Sequence, residues 1–209
     1  IDISFRHTTI HIKKGKIEAT NSRSAFSATI LPSNTSFIDD CITDLNSALG
    51  SYILNWFPGK IDDFKTAVVS SLKKLDINTV DGVNYPPGTT IIVDSPFDNP
   101  SKIIITASTL RKPNAGIRSE PGMICECIKQ IFIKTSDKKI SELYLPILGS
   151  GHGGLDIEIA LICLVLSIKY FSARFHHIKD ITILITENDC GKLSEKDKIV
   201  FWSLLRRGL

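Results

Sequence analysis

The residues of this chain best suited to chemistry form a glycine-rich segment that directly follows an apolar run at residues 145–148. We call it the glycine loop; its members are Gly149, Ser150, Gly151, His152, Gly153 and Gly154. Glycine lets the backbone turn sharply and approach a ligand closely, and free amides at the start of a helix attract anions. The loop therefore predicts a phosphate or diphosphate cradle, with a plain strand-to-helix turn as the alternative. No Lys-Ser/Thr pair follows the last glycine and the G-x-G-x-x-G order is absent, so neither a P-loop nor a Rossmann fingerprint is present.

Strands and helices that would position this loop can be read from the spacing of apolar residues. Apolar runs predict strands at residues 3–12, 28–32, 90–93, 102–107, 143–148 and 181–185, and helical spacing predicts helices at 38–53, 61–75, 123–131, 155–171 and 194–205. The alternation predicts a three-layer α/β/α domain with a mixed central sheet. Ligands bind such sheets at the carboxyl ends of the strands, so we expect loops 33–40, 108–118, 149–156 and 186–189 to form one crevice.

Composition indicates an ordinary globular chain whose residues 1–209 form a single domain, since 43% of 209 residues are hydrophobic and 22% are charged. A net charge of +3 with scattered basic residues argues against a nucleic-acid partner. Five cysteines without framework spacing favour a reducing compartment, and no metal site is expected. Because the chain opens at Ile1 rather than Met, we expect a domain excised from a longer protein.

Two stretches resemble the macro domain, the ADP-ribose-binding α/β/α fold. Residues 30–34 (ILPSN) are similar to the strand of that family that ends in an asparagine, and residues 145–154 (LPILGSGHGG) are similar to its strand and diphosphate loop. Residues 34–40 (NTSFIDD) and 47–53 (SALGSYI) resemble the subgroup of Thoeris-type bacterial antiphage defence. With the order of elements, the resemblance covers residues 3–205.

The resemblance implies a sensor of a nucleotide signal that a TIR-domain partner makes from NAD, for example histidine-linked ADP-ribose. It implies no catalytic residue, no metal and no cofactor beyond that ligand. It also implies a cytoplasmic domain, tethered to the inner membrane in the full-length protein, and leaves a homo-oligomer open. The alternative is an ADP-ribosyl hydrolase that removes ADP-ribose from a macromolecule or small molecule.

Each predicted site residue has a ligand role and a simpler structural role. Asn34 would contact the distal ribose or form an Asx turn, and Phe37 would wall the ribose or pack against a helix. Asp39 and Asp40 would pair with a cationic group on the ligand, activate water, or offset the dipole of the next helix. The remaining members come from the other loops. The predicted ligand-binding set is Asn34, Thr35, Phe37, Asp39, Asp40, Ser108, Thr109, Asn188 and the six residues of the glycine loop.

This sequence departs from the macro-domain pattern at two places. Lys16 stands where many members have the aspartate that binds the adenine amino group, which leaves Glu18, or the backbone and the 186–189 loop, for that task. Residues 35–37 (TSF) replace the glycine triplet found in the hydrolases of the family. The second departure, with the lack of an obvious activated nucleophile, favours a binding module over an enzyme. The mild charge and the absence of basic clusters argue against a nucleic-acid or protein interaction domain whose glycine loop is only structural.

Overall fold

A mixed sheet of eight strands organises the chain in the computed structural model, which describes residues 1–20, 24–37, 40–93, 101–112 and 116–194. The strands are β1 (Asp2–Phe5), β2 (Thr8–Lys14), β3 (Ser27–Asn34), β4 (Thr90–Val93), β5 (Lys102–Lys112), β6 (Gly116–Arg118), β7 (Glu142–Pro146) and β8 (Asp180–Ile185). The helices are α1 (Ala48–Trp56), α2 (Ile61–Lys73), α3 (Pro121–Thr135), α4 (Ile157–Ser172) and α5 (Glu187–Lys192). Short 3-10 turns lie at Ile17–Ala19 and Asp40–Ile42.

The order of the strands brings five loops to one edge of the sheet. The order is β1-β2-β8-β7-β3-β5-β4, with β6 paired to β5. Strands β2, β8, β7, β3 and β5 run parallel to their neighbours in this series, and β1, β4 and β6 pair antiparallel. Parallel strands are buried on both faces, which suits the isoleucine-rich segments of β5 and β8. Because β2, β8, β7, β3 and β5 run parallel, their carboxyl ends lie at the same edge of the sheet.

Two apolar layers cover the faces of the sheet. On one face α3 and α4 pack through residues such as Ile124, Ile128 and Leu164, and on the other α1 and α2 pack through Leu49 and Phe64. All five side chains are buried. The prediction of a three-layer α/β/α fold with a mixed sheet is thereby confirmed.

Several element boundaries differ from the sequence-based prediction. The helix predicted from Ile38 begins at Ala48, because the hydroxyl of Ser47 accepts a hydrogen bond from the amide of Gly50 and so caps α1 there. The single edge strand predicted at residues 3–12 is a hairpin of β1 and β2, turned at Arg6 with φ 47°. The loop predicted from residue 108 begins inside β5, which continues to Lys112. The helix predicted at 194–205 lies outside the described residues beyond Ser194.

Within the described ranges, none of the helices has the length and apolar character needed to cross a bilayer.

Candidate functional site

A cleft of about 440 Å³ lies at the carboxyl ends of the parallel strands. Its base is formed by residues at or after the ends of β2, β8, β7, β3 and β5, and one side is closed by the segment that leads into α1. A cleft of this size lies within the range of small-molecule sites. The lining residues, grouped by segment, are 15–18, 32–33, 41, 45–48, 51, 108–109, 117, 146–147, 149–153, 184 and 186–189.

The glycine loop lines the cleft through residues 149–153, and two of its glycines have positive φ angles. Gly149 has φ 81° and Gly154 has φ 63°, a region that favours glycine. The loop closes on itself, since the amides of Gly154 and Leu155 donate to the carbonyls of Gly151 (3.0 Å) and Gly149 (3.2 Å). Hydrogen bonds among the described residues leave unused the amides of Ser150, Gly151 and His152. These amides are therefore available to an anion.

Packing fixes the base of this loop and leaves its tip open. A Cβ added at Gly153 would lie 2.5 Å from the carbonyl oxygen of Gly149, and one at Gly149 would lie 2.5 Å from the hydroxyl of Ser119. The amide of Ser119 also donates to the carbonyl of Gly153 at 2.8 Å. A Cβ at Gly151, in contrast, would meet nothing described within 4 Å. The space beside Gly151 is thus free for a ligand.

One side of the cleft is held by the N-cap of α1. The hydroxyl of Ser47 donates to the carbonyls of Cys41 (2.6 Å) and Asp44 (2.9 Å) while it accepts from the amide of Gly50 (2.8 Å). Gly50 packs so closely that a Cβ there would lie 2.2 Å from the carbonyl oxygen of Asp44. The carboxylate of Asp44 then reaches the imidazole of His152, with 3.0 Å between Oδ2 and Nε2. This pair joins the glycine loop to the opposite wall.

The end of the cleft beside β2 carries charge. Glu18 has one carboxylate oxygen 3.6 Å from Nζ of Lys16, and the other accepts from the hydroxyl of Ser51 at 3.3 Å. The backbone carbonyl of Glu18 also accepts from Nε1 of Trp56 at 2.9 Å, which ties this segment to α1. The loop after β8 adds Asn188 and its acidic neighbours to the same end. The carboxylate of Glu18 is therefore held at the end of the cleft where the missing aspartate was expected to bind adenine.

The described residues directly after β3, 35–37, fold back onto the end of that strand and are absent from the cleft lining. Oδ1 of the fully buried Asn34 accepts from the amide (2.9 Å) and hydroxyl (2.7 Å) of Ser36 and from the amide of Phe37 (3.3 Å). Phe37 takes φ 62°, rare for an aromatic residue, and its buried ring meets that of Tyr85 edge-on. The hydroxyl of Thr35 is bonded to Oδ1 of Asn84 at 2.8 Å. The hydrogen bonds of Oδ1 of Asn34 to the amides of Ser36 and Phe37 form an Asx turn, which is the structural role predicted as the alternative to ribose contact.

The structure brings together part of the predicted set. Eight of its members line the cleft: Ser108, Thr109, Gly149, Ser150, Gly151, His152, Gly153 and Asn188. Four others are absent from the lining: Asn34, Thr35, Phe37 and Gly154. Asp39 lies outside the described residues, and only the backbone of Asp40 is described, in the turn Asp40–Ile42.

Sequence reasoning missed the cleft wall contributed by residues 41–51. Ser47, an N-cap residue type directly before Ala48 and Leu49, is a signal that could have placed the start of α1, and with it the preceding Asp44 and Cys41. No comparable signal marked Ser33, which reaches the cleft from the end of β3. Within the described part of the chain, no group of three or more His, Cys, Asp or Glu residues is placed to hold a metal ion.

Comparisons with known proteins agree with this fold. A family model described as "Thoeris protein ThsA, Macro domain" matches residues 25–186. Among solved structures, the Oceanobacillus iheyensis macrodomain with MES bound is 18% identical with a TM-score of 0.68, and the match covers 97% of each chain. The same macrodomain with ADP is 18% identical over 97% of each chain, with a TM-score of 0.62. The Trypanosoma brucei macrodomain in complex with ADP-ribose is 13% identical with a TM-score of 0.61, covering 93% of this chain and 69% of that one. Curated protein sequences gave no match.

Proposed function

We propose that this chain, which belongs to the macro-domain family of the Thoeris protein ThsA, binds an ADP-ribose-derived signal in its cleft and that binding is its function. One observation carries the proposal: the glycine loop, at the carboxyl ends of the parallel strands, has amides that no described residue accepts from, and a Cβ at Gly151 would meet only open space. Such amides bind phosphate groups without any cationic side chain. The related macrodomains with ADP and with ADP-ribose add support for a nucleoside diphosphate.

The two ends of the cleft suit the two ends of such a ligand. The diphosphate would lie on the glycine loop, and the base would lie toward Lys16, Glu18 and Asn188. The terminal ribose and any group attached to it would then lie toward Ser108 and Thr109. The carboxylate of Glu18 can accept a hydrogen bond from the adenine amino group in place of the missing aspartate.

The signal that we propose is an ADP-ribose conjugate, for example histidine-linked ADP-ribose, made from NAD by a TIR-domain partner. Occupancy would activate an antiphage effector, with this domain tethered to the membrane through segments of the full-length protein and free to assemble as a homo-oligomer. The walls of the cleft meet at His152 and Asp44, so a ligand on the glycine loop is placed to act on the start of α1.

Titration of the domain against ADP-ribose, cyclic ADP-ribose, NAD and histidine-linked ADP-ribose tests the proposal by calorimetry and thermal shift. A ligand at about 100 times its dissociation constant should stabilise the fold by roughly 2.7 kcal/mol. Gly151→Glu should abolish binding and leave the fold intact, because its Cβ meets no protein atom while its carboxylate repels the diphosphate. Gly151→Ala is the matched control. Retained binding in Gly151→Glu would remove the site assignment.

A second candidate is ADP-ribosyl hydrolysis, which the His152–Asp44 pair favours. A histidine oriented by a carboxylate is a common general base, and this pair lies 3.0 Å apart in the cleft. Release of free ADP-ribose from a modified substrate, lost in His152→Ala, would support it. Absence of turnover at high protein concentration, with tight binding of the conjugate, would leave the sensor as the function.

A further inference from the structure

Ser108 on β5 carries a hydroxyl that the fold itself does not use. The residue is fully buried, and its Oγ has no hydrogen-bond partner among the described residues. Buried hydroxyls in native proteins are nearly always paired, and each exception needs a physical explanation. Ser108 is also one of the residues that line the cleft. An unpaired donor in a binding cleft indicates a partner that arrives with the ligand.

The neighbouring hydroxyls are already committed to the backbone. Oγ of Ser119 donates to the carbonyl of Ser108 at 2.7 Å, and Oγ1 of Thr109 donates to the carbonyl of Ser33 at 3.3 Å. Ile117, on β6 of the β5–β6 hairpin, also lines this end of the cleft. Among the lining residues that the structure describes, β3, β5 and β6 contribute no charged side chain, in contrast to the end that holds Lys16 and Glu18. A neutral hydrogen-bonding group suits this end best, because an ion would find no countercharge on these strands.

Asn34 is not available to replace Ser108 in this role. Its Oδ1 already accepts from Ser36 and Phe37, and the residue is absent from the cleft lining. Of the two described buried side chains without a hydrogen-bond partner, Ser71 and Ser108, only Ser108, on the strand next to β3, lines the cleft. Serine has a single side-chain rotor between heavy atoms, so its hydroxyl can turn to a bound group without movement of the backbone.

We infer that Ser108 is the specificity-determining hydrogen-bonding residue for an uncharged polar group at the terminal ribose of the ligand, the end remote from the base. This inference rests on the proposed function and assigns one end of the same site. The hydroxyl both donates and accepts, so it recognises a ribose hydroxyl or a neutral nitrogen attached to that ribose. It makes no contact with the diphosphate, which the glycine loop holds.

The test combines one substitution with one truncated ligand. Ser108→Ala is compared with Ser71→Ala, whose hydroxyl is likewise buried and without a described partner but lies on α2, away from the cleft lining. Affinities for ADP-ribose and for ADP, which lacks the terminal ribose, are measured by calorimetry, and melting temperatures are measured without ligand. Loss of one hydrogen bond should weaken ADP-ribose binding by about three- to tenfold in Ser108→Ala and leave ADP binding unchanged. Ser71→Ala should bind both as the wild type does.

The ligand-free melting temperature gives an independent readout. Because the hydroxyl of Ser108 is unpaired, Ser108→Ala should melt at or above the wild-type temperature. A lower melting temperature would mean that the hydroxyl has a structural partner and would overturn the inference. Unchanged ADP-ribose affinity, or an equal loss for ADP, would overturn it as well. Wild-type protein that binds neither ligand would instead remove the proposed function, and the assignment of Ser108 with it.

Discussion

Nε2 of His152 lies 3.0 Å from Oδ2 of Asp44, and this contact joins the glycine loop to the segment that leads into α1. The side chains keep 47% and 30% of their surface exposed, so the contact is one that a ligand or solvent can reach. The backbone of Asp44 is fixed, because its carbonyl accepts a hydrogen bond from the hydroxyl of Ser47 at the N-cap of α1. The glycine loop and the start of α1 are thus linked by a partly exposed pair.

The first prediction concerns the strength of this pair. Asp44→Asn and His152→Gln should each lower the free energy of unfolding, and a double-mutant cycle should give a coupling of about 0.2–1 kcal/mol, as for partly exposed pairs. Urea denaturation of the four proteins at low and high salt provides the measurement. Coupling above this range, insensitive to salt, would contradict the picture of a weak, solvent-accessible link.

The second prediction separates two glycines of the same loop. Gly153→Ala should destabilise the fold by about 1–3 kcal/mol, because its Cβ would overlap the carbonyl oxygen of Gly149 and the side chains of Ser119 and Thr109. Gly151→Ala should change the free energy of unfolding by less than about 0.5 kcal/mol, because its Cβ faces open space. Chemical denaturation of both variants checks this. Equal stability of the two variants would contradict the packing described for Gly153.

The third prediction concerns cysteine reactivity. Burial raises the pKa of the Cys127 thiol to about 12, so this cysteine should resist alkylation at pH 8, while the exposed Cys125 should react. Cys41, partly buried in the cleft lining, should react in the free protein and be protected by saturating ADP-ribose. Peptide mass spectrometry after iodoacetamide treatment measures all three, with Cys125 as the internal control. Labelling of Cys41 that is insensitive to ligand would argue against the proposed occupancy.

The fourth prediction concerns base selectivity. A carboxylate accepts a hydrogen bond from the amino group of adenine but repels the carbonyl of hypoxanthine, so the domain should prefer ADP-ribose to its inosine analogue. Glu18→Gln should reduce that preference by about tenfold, because the amide can pair with either base. Glu187→Gln is the matched control, since that carboxylate at the same end is paired with Lys14. Calorimetric affinities for both ligands decide the matter, and selectivity lost only in Glu187→Gln would transfer the role to Glu187.

The fifth prediction concerns stability against acid. Burial, with a smaller contribution from Lys179, lowers the pKa of His177, whose Nε2 lies 2.9 Å from the hydroxyl of Thr135. The unfolded chain then binds more protons than the native state near the ordinary histidine pKa of about 6.5, so stability should fall as the pH drops below about 7. His177→Gln should flatten this dependence between about pH 5 and 7. Denaturation midpoints across that range test it, with His7→Gln, at an exposed histidine, as the control. An unchanged slope in His177→Gln would exclude this histidine as the cause.

The fold class and the glycine loop could be predicted because both depend on local sequence patterns, the spacing of apolar residues and the clustering of glycines. Apolar spacing marks the buried faces of α2, α3 and α4. Clustered glycines after a strand permit the positive φ angles that a tight turn requires, so they mark the position of the loop. A local signal also decided the boundary of α1, where the capping hydroxyl of Ser47 outweighed the apolar spacing that begins at Ile38.

Tertiary structure alone decided which side chains meet in the cleft. His152 and Asp44 are separated by more than one hundred residues of chain, and their contact depends on how α1 packs against β3 and on the tight approach of Gly50 to Asp44. The unpaired state of the Ser108 hydroxyl depends equally on partners that Ser119 and Thr109 find elsewhere. The sequence specifies which hydrogen-bond donors and acceptors each side chain carries. Only packing determines which of those groups are satisfied within the protein and which are left for a ligand.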